Sequence, residues 1–428
     1  MTTKTAVIVG TGIAGLSLAE ILSRNNYKVI LLESQNRIGG EATLATQKWC
    51  HTGWLYSALP NQSAMNGCYN ALHLYKTIYE DIFPGFINLE LDGKSVEYLK
   101  SDNGWFTDER IHYLFAMGTH ELSLPMKIYW PLYFNLVIMR RLKKLYTFDE
   151  MASVRQPLKK LLNVWENDTK GYTKYRCIRT TDAKIHTDRV TKALVSALSE
   201  DTEIITNARF SLKHRGDTST ITIEGRPYTP DLLILASGKS LPTHLRQINR
   251  SAIASMIKSI KSPIVILKKT LDLPDFIRFT PNLLYTINHI KFDINGFGQI
   301  STLGSYHSFP VDESPDISFC EDLICSRLGK TRDDVLASYY GIKTEYVGKA
   351  DRRYNHSVMR VNQNSFFALA GKFSQFPLLV YDFVEQMGLS LAVRNMDNRM
   401  QVDPDLFAAT YPQTIVSNYV SAKEPQIA

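Results

Sequence analysis

Three glycines and one carboxylate have the spacing that most directly specifies a chemistry in this chain. Gly10, Gly12 and Gly15 stand at G-x-G-x-x-G spacing with Ile13 and Ala14 between the last two. Glu33 follows the last glycine by roughly 20 residues, the interval that the dinucleotide fingerprint requires. Gly10 permits a tight turn, Gly12 lets backbone approach a pyrophosphate, and Gly15 lets a helix pack on a strand. A helix starting here presents unpaired N–H groups to phosphate oxygens, and the carboxylate can accept both hydroxyls of an adenosine ribose. The implied chemistry is the binding of an adenine dinucleotide.

A strand, a helix and a second strand must hold these groups. Ala6 to Gly10 reads AVIVG. Leu16, Leu18, Ala19, Ile21 and Leu22 then repeat at helical spacing, and Lys28 to Leu32 is a second β-branched run. Further on, Asn61 to Phe83 predicts a helix stopped by Pro84-Gly85. Phe86 to Leu91 and Ser95 to Leu99 predict strands about an Asp92-Gly93 turn, and Lys100 to Asp108 predicts a loop. Asp182 to Asp188 leads into a helix with Val190, Leu194 and Leu198 on one side, followed by a strand at Glu203 to Thr206. Ser211 to His214 and Thr218 to Glu224 form a hairpin pattern, and Asp231 to Leu235 is a buried strand running into Ala236-Ser237-Gly238. Ile264 to Lys269, Phe276 to Phe279, Leu283 to His289 and Gln299 to His307 alternate as strands of a half-buried antiparallel sheet. Asp316 to Leu328 and Thr331 to Tyr340 are predicted as helices outside that sheet. Ser365 to Ala370 is a strand, and Gly371-Lys372-Phe373 opens a helix that runs through Met387.

The 428 residues suffice for two intimately connected domains, and 44% hydrophobic with 21% charged residues is ordinary for a globular protein. The net charge of +7 is spread along the chain with no basic tail, so no nucleic acid partner is expected. Five cysteines lack metal-site or C-x-x-C spacing. With a strand that begins almost at the N-terminus and no signal peptide ahead of it, they predict a cytoplasmic protein. Residues 126–146 are set apart. An aromatic-rich run, Tyr129-Trp130-Pro131-Leu132-Tyr133-Phe134, precedes Arg140, Arg141, Lys143 and Lys144. The run is too short to span a bilayer, but its pattern suits peripheral membrane contact as well as a substrate-domain helix.

The stretch after Glu33 narrows the dinucleotide. Ser34, Arg37, Gly39-Gly40, Glu41 and Ala42 resemble the Arg-x-Gly-Gly extension of FAD enzymes in the glutathione-reductase-like superfamily. There a second glycine pair approaches the diphosphate and the arginine neutralises it. Cys50-His51-Thr52-Gly53-Trp54-Leu55-Tyr56 is similar to the His-x-Gly-(Leu/Ile)-Tyr stretch of the D-amino-acid-oxidase-like group, with one extra residue before the tyrosine. The order of elements is similar to L-2-hydroxyglutarate-dehydrogenase-like members. Gly371-Lys372-Phe373 lacks the family's usual glycine run and looks more like the ending of flavin amine oxidases.

The resemblance implies an α/β fold. A three-layer Rossmann-type FAD-binding domain (residues 1–83, 171–250 and 356–428, the last including the tail) interleaves with an α+β substrate domain on an antiparallel sheet (84–170 and 251–355). It implies FAD contacts at Phe210 through backbone, at Ala236 and Gly238 beside the phosphates, and at Gly371, Lys372 and Phe373 by the flavin ring. It places His51, Trp54 and Tyr56 over the ring, with Cys50 and His51 as attachment points if the flavin is covalent. Arg278, Tyr285, His289, Tyr306 and His307 are candidate pocket residues, of which strand alternation brings about half to one face. Catalysis is expected from His51, Tyr56, Arg278 and His307. The expected activity is FAD-dependent oxidation of a C–H next to an amine or hydroxyl of a small-molecule substrate. Oxygen or an electron carrier would be the acceptor. Flavin-dependent mutase chemistry and a non-catalytic flavoprotein module are the alternatives.

Overall fold

The computed structural model describes residues 3–45, 47–118, 123–148, 174–281, 286–294, 298–348, 355–392, 399–401, 403–407, 409 and 411–423. Tyr285, and the part of the 84–170 segment from 149 onward, lie outside them.

Two sheets organise the chain. The first has six strands in the order Ser357–Arg360, Ser365–Leu369, Leu232–Leu235, Thr5–Val9, Lys28–Leu32 and Glu203–Ile205. All its neighbours pair in parallel except the edge strand Ser357–Arg360. Leu232–Leu235 is buried along its whole length, and Thr5–Val9 from Ala6 onward. Burial on both faces explains why these strands read as unbroken apolar runs rather than alternating ones. Helices Ile13–Arg24 and Phe376–Met387 pack together on one face. The three-stranded sheet Phe210–Arg215, Thr218–Ile223 and Arg226–Tyr228 and helix Leu241–Gln247 contribute to the core on the other. The fold is the predicted α/β type with a Rossmann-like parallel sheet.

The second sheet has nine strands, mostly antiparallel. Ile257–Leu267 pairs on one side with Val335–Tyr346 and on the other with Gly298–Ser305 and Phe309–Pro310. The sheet continues through Ile287–Ile294, Phe276–Phe279, Phe106–Gly118, Lys174–Ile185 and Trp49–Cys50. Helix Ile317–Ser326, capped by the Asp316 carboxylate accepting from the Ser318 amide at 2.9 Å, covers one face.

Three expectations are corrected here. Thr331 to Tyr340 is not a helix: a short 3-10 turn, Arg332–Asp334, leads into Val335–Tyr346, which pairs with Ile257–Leu267 over its whole length. The ladder offers each backbone group a partner, and tertiary pairing overrides local propensity. The loop predicted for Lys100 to Asp108 ends at Phe106, where a 13-residue strand begins. Trp49–Cys50 and Lys174–Ile185, grouped by sequence with the FAD-binding parts, pair in the second sheet. The two halves are joined by an aromatic cluster, in which Tyr75 and Tyr79 of helix Ser63–Tyr79 meet Trp105 and Phe376 at centroid distances of 5.3–6.2 Å.

Candidate active site

The glycine loop separates its tasks by geometry. Gly10 has φ +105°, and a Cβ there would lie 2.6 Å from the Ala236 carbonyl oxygen. A Cβ on Gly15 would lie 1.9 Å from the Gly10 carbonyl oxygen, so helix Ile13–Arg24 can approach its strand only with glycine there. Gly12 differs: its missing Cβ faces open space apart from Thr43 Oγ1 at 3.2 Å. Thr43 Oγ1 also accepts from the Ile13 amide at 2.9 Å, tying the helix start to the loop after the second strand.

Glu33 stands at the end of that strand. Its carboxylate accepts from the Thr11 amide at 3.2 Å, from the Gln35 amide at 2.9 Å and from the Ser34 hydroxyl at 3.3 Å, and it is only half-buried. The Ala208 amide donates to the Glu33 carbonyl and the Asn207 amide to that of Gln35, both at 2.8 Å, which lays the segment before Phe210 beside the acid. Phe210 packs on the His244 ring. Arg37 is exposed and Gly40 half-buried. Glu41 pairs with Lys239 at 2.6 Å, bridging to the loop at Gly238.

From this cradle a cavity of about 1190 Å³ runs to the nine-stranded sheet. Gly12, Ile13, Ala14, Ala42, Ala236 and Gly238 line one end, and Gly371, Lys372 and Phe373 line a wall. Gly371 has φ +69°, and a Cβ there would lie 2.3 Å from the Asn355 carbonyl oxygen. The volume exceeds the roughly 300–1,000 Å³ of an ordinary ligand pocket, leaving room for one end of a dinucleotide and a second small molecule.

His51 and Tyr56 both line this space. The His51 ring stacks on Trp49 at 4.9 Å and lies 5.6 Å from that of Tyr56. The loop carrying them is fixed from beneath by Asp182. That fully buried carboxylate accepts from the Thr52 amide at 2.8 Å, the Thr52 hydroxyl at 2.7 Å, Trp49 Nε1 at 3.1 Å and the Tyr113 hydroxyl at 2.7 Å. His51 Nδ1 is 3.8 Å from the same carboxylate, too far for a hydrogen bond. Burial holds the imidazole below its usual pKa against the opposing pull of Asp182, so the ring is neutral at pH 7.

Two lysines share the cavity wall. Lys372 Nζ lies 5.7 Å from the Tyr56 ring centre, and Lys343, on strand Val335–Tyr346 just past the stretch predicted as helix, pairs with the buried Glu345 at 2.8 Å. Burial first, and the Lys343 charge second, hold Lys372 down to about 7. Neither Lys343 nor Glu345 stood out in sequence, because their shared strand did not. Asp182 and the pair Gln47 Nε2–Asn288 Oδ1, 2.8 Å apart on the cavity wall, were also missed.

The DAO family, FAD dependent oxidoreductases, matches residues 5–342. The chain is a member of that family. The cradle fits FAD: the open face of Gly12, the acid at the end of the next strand and the cavity lined by Gly12, Ile13 and Ala14 are the shape and charge a dinucleotide needs. This DAO family member is thus an FAD-dependent oxidoreductase, and the mutase and non-catalytic alternatives are not favoured. Solved structures share the fold at low identity. Glycine oxidase from Geobacillus kaustophilus is 14% identical, with 94% of this chain and 100% of that one covered at a TM-score of 0.61. Iminodiacetate oxidase from Chelativorans sp. BNC1 is 16% identical, with 91% and 97% covered at 0.62. FAD-bound L-α-glycerophosphate oxidase from Mycoplasma pneumoniae is 16% identical, with 94% and 100% covered at 0.61. Curated protein sequences give no significant match.

Several expected pocket residues lie elsewhere. Ile277 and Phe279 line the cavity, so strand alternation turns Arg278, between them, to the other face. His289 shares that face: its ring bonds the Pro274 carbonyl and Ser301 hydroxyl, and burial lowers its pKa to about 4. His307 is half-buried beside the cavity, while its neighbours Tyr306 and Ser308 line it. Trp54 points inward, donating to Thr181 Oγ1 at 2.8 Å, and Trp49 takes the cavity position instead. Cys50 is fully buried in its strand, off the cavity, and burial pushes its thiol pKa well up.

Proposed function

We propose that this enzyme oxidises a C–H bond next to an amine or hydroxyl of a small substrate, and that its second half-reaction passes the electrons to oxygen or an electron carrier. Bound FAD supplies the hydride acceptor. The observation that carries the reading is the single cavity joining the phosphate cradle to a chamber with His51, Tyr56, Lys343 and Lys372 on its walls. His51 is neutral and faces the chamber, so it can take the proton that leaves the amine or hydroxyl. Lys372, about half-protonated at pH 7, and Lys343, held by Glu345, place N–H donors on one wall, which suits a substrate carboxylate and negative charge gathering at the start of helix Phe376–Met387. Ile277, Phe279 and Trp130 form an apolar wall that excludes water from the reacting carbon. The five cysteines are all buried and none forms a disulfide among the described residues, which suits a reducing compartment, the cytoplasm.

The test is an anaerobic spectral screen of the FAD-loaded enzyme against amines, amino acids and hydroxy acids. Loss of the oxidised flavin band with one class, restored on admitting an acceptor, supports the proposal. A flavin that stays oxidised with every class refutes it.

A further inference from the structure

We propose that the helical segment Leu124 to Leu145 seats the protein on an anionic lipid surface. Among the described residues nine large apolar side chains are exposed, and five of them, Leu124, Ile128, Tyr129, Leu132 and Leu136, lie on this segment. Their exposures of 53–74% concentrate on one segment what is elsewhere scattered singly. The segment is continuous through helix Leu124–Tyr133, a π turn at Phe134–Ile138 and helix Met139–Leu145. Leu124, Ile128, Leu132 and Leu136, then Arg140 and Lys144, recur every four residues along it, with Lys143 alongside. The exposed stripe is therefore apolar first and cationic after.

The face is held rigidly. Phe134, Ile138 and Leu142 are fully buried on the other side, and Trp130 Nε1 donates to the Ala116 carbonyl at 2.9 Å. No acidic residue occurs from Ser123 to Phe148. This charge pattern selects the occupant. A second copy of the chain packed on this stripe would have to cover Arg140, Lys143 and Lys144 with no acid from the segment to answer them, and burying unpaired charge is costly. Anionic headgroups answer those cations while the acyl boundary takes the leucines and Ile128. No helix among the described residues is long and apolar enough to cross a membrane, so the segment lies in the plane of the surface. Met126, Trp130, Tyr133 and Val137 of its inner side, with Tyr129 at the edge between the two faces, line the large cavity, so a bilayer on the outer side is one helix away from the reaction chamber.

This inference does not depend on the substrate proposed above, and its test is separate. The FAD-loaded enzyme is sedimented with vesicles of phosphatidylcholine alone, or with one lipid in three replaced by phosphatidylglycerol. Binding to the anionic vesicles that weakens with salt is expected. The triple variant Arg140→Glu/Lys143→Glu/Lys144→Glu should bind them more weakly by a factor on the order of a hundred. Ile128→Asp/Leu132→Asp should also lose binding, while both variants keep the parent's flavin absorption and melting temperature, because the changed side chains are exposed. Parent enzyme that stays in solution with both vesicle types at low salt overturns the proposal, as do variants that bind like the parent. A concentration-dependent dimer dissolved by Leu132→Asp, without vesicle binding, also overturns it and assigns the face to a second copy.

Discussion

Gly12→Ala and Gly15→Ala lie three residues apart in one motif and should fail in different ways. In Gly15→Ala the new methyl would sit 1.9 Å from the Gly10 carbonyl oxygen and 3.5 Å from the Ala236 Cβ. Restoring an ordinary contact of 3.4 Å to that backbone oxygen means moving helix Ile13–Arg24 outward by about 1.5 Å. That helix is buried along nearly its whole length and packs on helix Phe376–Met387, so it has no room to retreat. Overpacking of this kind costs about 1–3 kcal/mol or more, and the apoprotein should already melt well below the parent. In Gly12→Ala the methyl enters open space and meets only Thr43 Oγ1 at 3.2 Å, a contact that a shift of a few tenths of an ångström relieves while Thr43 keeps its bond from the Ile13 amide. The apoprotein should melt like the parent. The methyl occupies the space the diphosphate needs, and losing one charge-assisted backbone hydrogen bond to it costs about 1.5–3 kcal/mol, a roughly 10- to 150-fold weaker Kd for FAD. Differential scanning fluorimetry of the apoproteins, with fluorescence titration of FAD into each, separates the two effects. A Gly15→Ala protein with parental stability would refute the packing argument. A Gly12→Ala protein with parental FAD affinity would refute the assignment of this cleft to the diphosphate.

The remaining predictions concern the carboxylates and the buried cation. Glu33→Lys should abolish FAD uptake, whereas Glu33→Gln, which keeps one acceptor for the Thr11 and Gln35 amides, should weaken it far less; FAD titration of both variants checks this. Asp182→Asn puts an amide N–H against either the Thr52 amide or Trp49 Nε1, leaving a donor without a partner in a fully buried site. Urea unfolding should show about 1–3 kcal/mol lost, with turnover falling as His51 loses its support. Lys372 has a folded pKa near 7 against an ordinary 10.5, so the unfolded chain binds the extra proton between these values. Apoprotein stability should therefore rise with pH from 7 towards 10.5, and Lys372→Met should flatten that rise in urea titrations at pH 7, 8 and 9. An unchanged slope would refute the burial assigned to this lysine.

The two halves of the site were unequally legible, for a physical reason. The cradle depends on backbone conformations and close approaches that only glycine permits, as at Gly10 and Gly15, and on an acid at the end of the next strand. Those requirements fall within about 30 consecutive residues and leave a local mark. The chamber depends on which way strands face and what they pair with, and neither is local. Arg278 has the right chemistry but the wrong parity, since Ile277 and Phe279 take the cavity face. Lys343 and Glu345 were hidden because Val335–Tyr346 becomes a strand only through its ladder with Ile257–Leu267, 68 to 89 residues earlier. Asp182 read as a lead-in to a helix, yet its donors Thr52, Trp49 and Tyr113 are 69 to 133 residues away in sequence. Nothing local marked it: Lys174, Arg176, Arg179 and Lys184 share its strand, so the sequence reads as a solvated charged run, although a carboxylate that is buried must gather donors from somewhere. In this fold the group most exposed to misreading is thus a polar residue in a strand, because one residue of register decides whether it meets the substrate or the far side of the sheet.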